Sequence, residues 1–126
     1  MQPAGARKVV LVIDDDAFIR EAIADILASE AIGCLAAEDG AAGVALYRAR
    51  RAEIGMVLLD LSMPGLSGEE TCRQLKALNP NAPIVISSGY SSAELTGRFA
   101  QLGVVDFLQK PYRWGELITR VRQVMT

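Results

Sequence analysis

The chain has 126 residues, enough for one domain with a hydrophobic core and too few for two. Half of them are hydrophobic (51%) and 22% are charged, a balance that excludes a disordered chain, and the formal net charge of −2 gives no electrostatic footprint for nucleic acid. No apolar run approaches the roughly 20 residues that span a bilayer, and the opening MQPAGARK is too short and polar for a signal peptide or an anchor, so a cytoplasmic protein is expected.

Residues 1–7 are expected to form a flexible N-terminal extension. Residues 8–14 (KVVLVID) then read as a strand, followed by a helix with a stripe of Ile19, Ile23, Ile26 and Leu27. A weaker, Ala-rich strand signal covers residues 34–37. Asp39-Gly40 reads as a turn and helix N-cap. A third strand at 54–61 (IGMVLLDL) leads to a helix that ends at Asn79-Pro80, since the residue before proline is pushed out of helix. Strands at 83–88 (PIVISS) and 104–109 (VVDFLQ) follow, and Leu117, Ile118, Val121, Val124 and Met125 mark a last helix. Hydrophobicity that is continuous rather than alternating suits parallel strands buried on both faces. Alternating strands and helices in one short chain imply an α/β fold, a doubly wound parallel sheet with helices on both faces. Cys34 and Cys72 match no metal or redox spacing and are expected to be buried structural thiols.

In such sheets ligands bind beyond the carboxyl ends of the strands, so chemistry is sought there. The first strand ends in Asp14, Asp15 and Asp16, the third in Asp60, the fourth in Ser88-Gly89 and the fifth in Lys110-Pro111. Asp16 is expected to cap the first helix. Two carboxylates about 4 Å apart repel by roughly 4 kcal/mol at an effective dielectric near 20, so gathering Asp14, Asp15 and Asp60 calls for a counter-ion. Mg²⁺ suits them as a hard cation bound by one or two carboxylates that keeps waters for a substrate to displace. With no histidine on the chain, the work falls to carboxylates, hydroxyls and lysine. Aspartate is a weak nucleophile but a phosphoryl acceptor, and phosphoryl transfer needs alignment and neutralisation of oxygen charge more than covalent help. Asp60 is the expected acceptor. A metal on Asp14 and Asp15, the Lys110 ammonium and the Ser88 hydroxyl would each hold one phosphoryl oxygen. Pro64, Gly65 and Gly68 stiffen the loop after Asp60, where the Ser62 carbonyl is placed to complete the metal shell.

VLVIDDD, LLDLSMPGLSG, ISSGY and DFLQKPY, in that order and spacing, resemble the receiver domain of two-component response regulators over nearly the whole chain. The resemblance implies a flavodoxin-like five-stranded parallel sheet, strand order 2-1-3-4-5, with five helices, over 1–126 as a single domain. It implies Asp14 and Asp15 as the acidic pair binding Mg²⁺ (or Mn²⁺), Asp60 as the phosphorylated aspartate and Ser62 as the carbonyl ligand. Ser88 becomes the switch hydroxyl, Phe107 the switch aromatic and Lys110 the conserved lysine of the family, joined to Pro111 by a cis bond. Ser62 and Tyr90 match the positions that tune dephosphorylation. Expected partners are a sensor histidine kinase or a histidine phosphotransfer protein, with homodimerisation through the fourth helix, fifth strand and fifth helix allowed, and no nucleic acid or membrane. The second half of the chain is similar in style to receivers of hybrid sensor kinases. A receiver is not an enzyme beyond its own phosphorylation and dephosphorylation.

Three other readings compete. Asp14-x-Asp16 superficially fits an aspartate-nucleophile phosphatase, but Ala17 stands where a glycine is expected and no acidic pair follows the lysine. A phosphorylation-independent docking scaffold would have lost an acidic residue or the lysine. A flavin binder needs a phosphate-cradling first loop where this one is acidic.

Overall fold

A computed structural model describes residues 8–61, 65–89, 91–99 and 101–125. Five strands and five helices alternate: β1 (Val9–Ile13), α1 (Ala17–Ser29), β2 (Cys34–Ala37), α2 (Gly40–Arg50), β3 (Ile54–Asp60), α3 (Gly68–Leu78), β4 (Ile84–Ser88), α4 (Ser92–Phe99), β5 (Asp106–Gln109) and α5 (Trp114–Met125). All neighbouring strands pair in parallel, in the order β2-β1-β3-β4-β5. The fold is the doubly wound α/β sheet that the sequence implies. The Ala-rich β2 is a true edge strand, and β5 begins two residues later than its hydrophobic run. Residues 1–7, where an extension is expected, lie outside the described residues.

Strand alternation sorts the core into two layers. Val10, Val12, Met56, Leu58, Val85 and Leu108 pack on one face against Ile23 and Leu27 of α1 and Leu117 and Val121 of α5. Leu11, Ile13, Val57, Leu59, Ile84 and Ile86 pack on the other against Val44 and Tyr47 of α2, Cys72 and Leu75 of α3, and Leu95 and Phe99 of α4. Of the predicted α1 stripe, Ile23 and Leu27 are buried, while Ile19 packs at the rim.

The helices start and stop where local chemistry directs. Asp16 caps α1 by accepting the Phe18 and Ile19 amides at 2.9 and 3.3 Å, and Asp39 caps α2 by accepting the Ala42 amide at 2.8 Å. Asn79 ends α3 ahead of Pro80. Cys72 is buried and Cys34 partly buried, both as free thiols, and burial pushes them up to about 12 and about 11. Gly43 lets α2 sit directly on β1, because a Cβ there would lie 2.3 Å from Cδ1 of Ile13.

The end of α1 is less well served. Ala31 adopts φ 60°, with its amide donating to Ala28 O at 3.0 Å and the Ile32 amide to Leu27 O at 2.9 Å. This pattern usually places glycine at the left-handed position. A left-handed L-residue costs roughly 1–2 kcal/mol, so Ala31→Gly should stabilise the fold by about 1 kcal/mol in urea denaturation. An unchanged or lowered midpoint would contradict this account of the α1 terminus.

Candidate functional site

Three acidic side chains from two strand ends meet at one edge of the sheet. Asp14 and Asp60 continue the alternation of Val10 and Val12 in β1 and of Met56 and Leu58 in β3, so both point to the α1/α5 side. Lys110 holds the same parity with Leu108 of β5. Hydrogen bonds running past the strands fix these ends. The Asp14 amide donates to Ala37 O at 3.1 Å, the Leu61 amide to Ser87 O at 3.2 Å, and the Lys110 amide to Ser88 O at 2.7 Å. The Lys110-Pro111 bond is cis, as the motif implies.

Asp14 and Asp60 are 4% and 3% exposed, whereas Asp15 is exposed. Carboxylate oxygens of all three lie within 4.8 Å of one another. The Lys110 ammonium stands 3.2 Å from Asp60 Oδ1 and 3.6 Å from Asp14 Oδ2. Burial pushes the Asp14 carboxyl up; the Asp16 amide, donating to its Oδ1 at 2.9 Å, and Lys110 resist this, while the charges of Asp60 and Asp15 add to it. Burial pulls Lys110 down, but the charges of Asp60 and Asp14 and the hydrogen bond to Asp60 outweigh that pull and hold it above its ordinary value. One ammonium does not balance three carboxylates. A cluster of hard oxygen donors with excess negative charge is the donor set that a small divalent cation favours.

Asp16 turns its carboxylate into the start of α1 and stands outside the cluster, which leaves the Asp14-x-Asp16 phosphatase motif without its second acid. Ser88 is fully buried at the end of β4. Its parity, and that of Phe107 with Ile86 as its register partner, places both toward the α4 side, where Phe107 packs at the edge of the core. Ser62 and Tyr90 lie outside the described residues.

Two neighbours of the site carry no signal in the motif reading. Ser87, the register partner of Asp60, is a buried hydroxyl on the same face. Tyr112 faces Ser87; burial pushes its phenol up, while Ser87 and Lys110 act in the opposite direction. Strand alternation is the signal that could have found Ser87. Tyr112 follows the Lys-Pro pair directly but reaches the site only through the path of the β5–α5 loop.

The response regulator receiver domain family matches residues 10–122. The response regulator TodT of Pseudomonas putida is 33% identical over 117 residues, covering 93% of the chain and 51% of TodT. The chain therefore spans about half the length of that relative. The chemotaxis protein CheY of Treponema pallidum is 31% identical over 125 residues, covering 98% of the chain and 87% of CheY. Among solved structures, a receiver protein from Pseudomonas putida superposes with a TM-score of 0.83 at 35% identity, covering 94% and 98% of the two chains. CheY in the CheX–CheY–BeF₃–Mg²⁺ complex of Borrelia burgdorferi gives 0.87 at 26% identity, covering 94% and 90%. The chain belongs to the response regulator receiver domain family, a domain of two-component signalling.

Proposed function

We propose that Asp60 accepts a phosphoryl group from a phosphohistidine of a sensor histidine kinase or a histidine phosphotransfer protein, and that this modification switches the surface formed by α4, β5 and α5. The observation that carries the reading is the Lys110 ammonium, held 3.2 Å from Asp60 and 3.6 Å from Asp14 in a pocket of three carboxylates. A Mg²⁺ (or Mn²⁺) held by Asp14, Asp15 and Asp60, with the Ser62 carbonyl completing its shell, would neutralise this charge and grip one phosphoryl oxygen. The Borrelia burgdorferi relative was solved with BeF₃ and Mg²⁺, which supports the choice of ion.

Asp60 supplies the electron pair for the new bond to phosphorus, and the donor's imidazole departs with the electrons of the broken phosphorus–nitrogen bond. Lys110 neutralises a second oxygen, and its tether between two carboxylates keeps the ammonium in place before the phosphoryl group arrives. The Ser88 hydroxyl takes the third. Drawing Ser88 toward the phosphoryl group opens room for Phe107 on the same side of the sheet, and the phosphoryl group thereby biases a two-state equilibrium at α4. The chain acts as a cytoplasmic signalling domain that catalyses only its own phosphorylation and dephosphorylation.

Incubation with Mg²⁺ and acetyl phosphate should add one phosphoryl group by intact mass. Asp60→Asn or removal of the divalent ion should abolish the gain, and a gain surviving Asp60→Asn would refute the assignment. Hydrogen exchange tests the switch separately. Phosphorylation should alter protection across α4 and β5, and Phe107→Ala should suppress that change while Asp60 still takes the group. An identical change in the variant would rule out this coupling route.

A further inference from the structure

Next to the carboxylates lies a cavity of about 430 Å³ lined by Ile19, Lys110, Pro111, Tyr112 and Trp114. Ile19 comes from the first turn of α1, Pro111 and Tyr112 from the β5–α5 loop, and Trp114 opens α5. Its volume falls within the range of small-molecule sites. The Tyr112 and Trp114 rings meet edge to face, with centroids 6.3 Å apart and planes at 80°, so each restrains the other. Trp114 nevertheless stays 41% exposed. It is the single tryptophan of the chain, and packing against Tyr112 leaves much of its surface available to a visitor.

Lys110 belongs to both places. It lines the cavity and also pairs with Asp60 and Asp14. A molecule entering the cavity therefore meets aromatic and apolar walls within reach of an ammonium that already touches the expected phosphoryl acceptor. That combination suits a flat ring carried by an anion, since ring faces pack well in edge-to-face and offset geometries while the charge is met by the lysine.

We propose that the cavity is a leaving-group subsite, which seats a flat ring on the departing half of the phosphodonor while the phosphoryl group lies at Asp60. The inference rests on the phospho-acceptor reading above. With an aromatic acyl phosphate such as benzoyl phosphate, an Asp60 carboxylate oxygen forms a bond to phosphorus. The bond between phosphorus and the acyl oxygen breaks, its electron pair leaves with benzoate, and no proton changes hands. Acetyl phosphate undergoes the same bond changes with a leaving group too small to fill the cavity. Ring recognition thus shows as a difference between two donors of one chemical class. Trp114, Ile19 and Tyr112 act on which donor is preferred, and Asp60 and Lys110 on whether transfer occurs.

The test measures initial rates of Asp60 phosphorylation by intact mass, with Mg²⁺ present, from benzoyl phosphate and from acetyl phosphate. It uses the full chain, Trp114→Ala and Trp114→Phe. Intrinsic reactivity of the donors cancels when each variant's benzoyl-to-acetyl rate ratio is divided by that of the unaltered chain. Trp114→Ala should lower the ratio roughly tenfold, the scale on which apolar pockets discriminate, and Trp114→Phe, which restores a ring, should recover most of it. Equal ratios in the unaltered chain and Trp114→Ala, with Asp60 phosphorylated in both, would overturn the subsite and leave the acceptor reading intact. Failure of both donors to phosphorylate the unaltered chain would remove the acceptor reading and the subsite with it.

Discussion

Two buried carboxylates and an exposed third share one end of the sheet with a single lysine, and this charge imbalance is the constraint on which the rest of the site depends. Asp14 and Asp60 are held at the ends of strands buried on both faces, so neither can swing into solvent to relieve the repulsion. The backbone bonds that extend the ladder past Ile13, Asp60 and Gln109 hold the flanking residues in register. Lys110 answers part of the negative charge with contacts to both buried acids. The remainder is negative charge on hard oxygen donors, the kind of donor set that a small divalent cation favours.

The same parity that builds the pocket separates it from the part expected to respond. Asp14, Asp60 and Lys110 face the α1/α5 layer, whereas Ser88 and Phe107 face the layer of α4. Ser88 closes β4 one residue beyond the register partner of Asp60, and its carbonyl takes the Lys110 amide. A change at the acceptor therefore has a short route to the α4 side through one strand end. Arg120 paired with Asp106, and Arg122 with Glu30, tie α5 to β5 and to the end of α1.

Much of this was legible in the sequence because the informative residues terminate hydrophobic runs. VLVID, MVLLD and DFLQK each state a strand and the charged residue it delivers, and parallel topology places those ends together. Asp16 and Asp39 were readable as caps for the same local reason. Other features required tertiary structure. The weak signal of residues 34–37 became β2 only through pairing with β1. β5 starts at Asp106 because Gly103, at φ 71°, turns the chain just before, and Val105 joins β4 through its amide to Ile84 O at 2.9 Å while remaining exposed. The left-handed Ala31 carries no glycine to announce it. The cavity beside Lys110 joins Ile19 to Trp114 across most of the chain, a juxtaposition that no local pattern encodes.

The most direct test of the central claim compares thermal unfolding of the unaltered chain and Asp14→Asn, each in chelator and in Mg²⁺. Asparagine keeps the oxygen that accepts the Asp16 amide and removes a charge beside Asp60, so in chelator the variant should be the more stable by about 1 kcal/mol. Mg²⁺ should stabilise the unaltered chain far more than the variant and narrow or reverse that order. A variant less stable in chelator, or an unaltered chain indifferent to Mg²⁺, would contradict the view that uncompensated carboxylate charge defines this site.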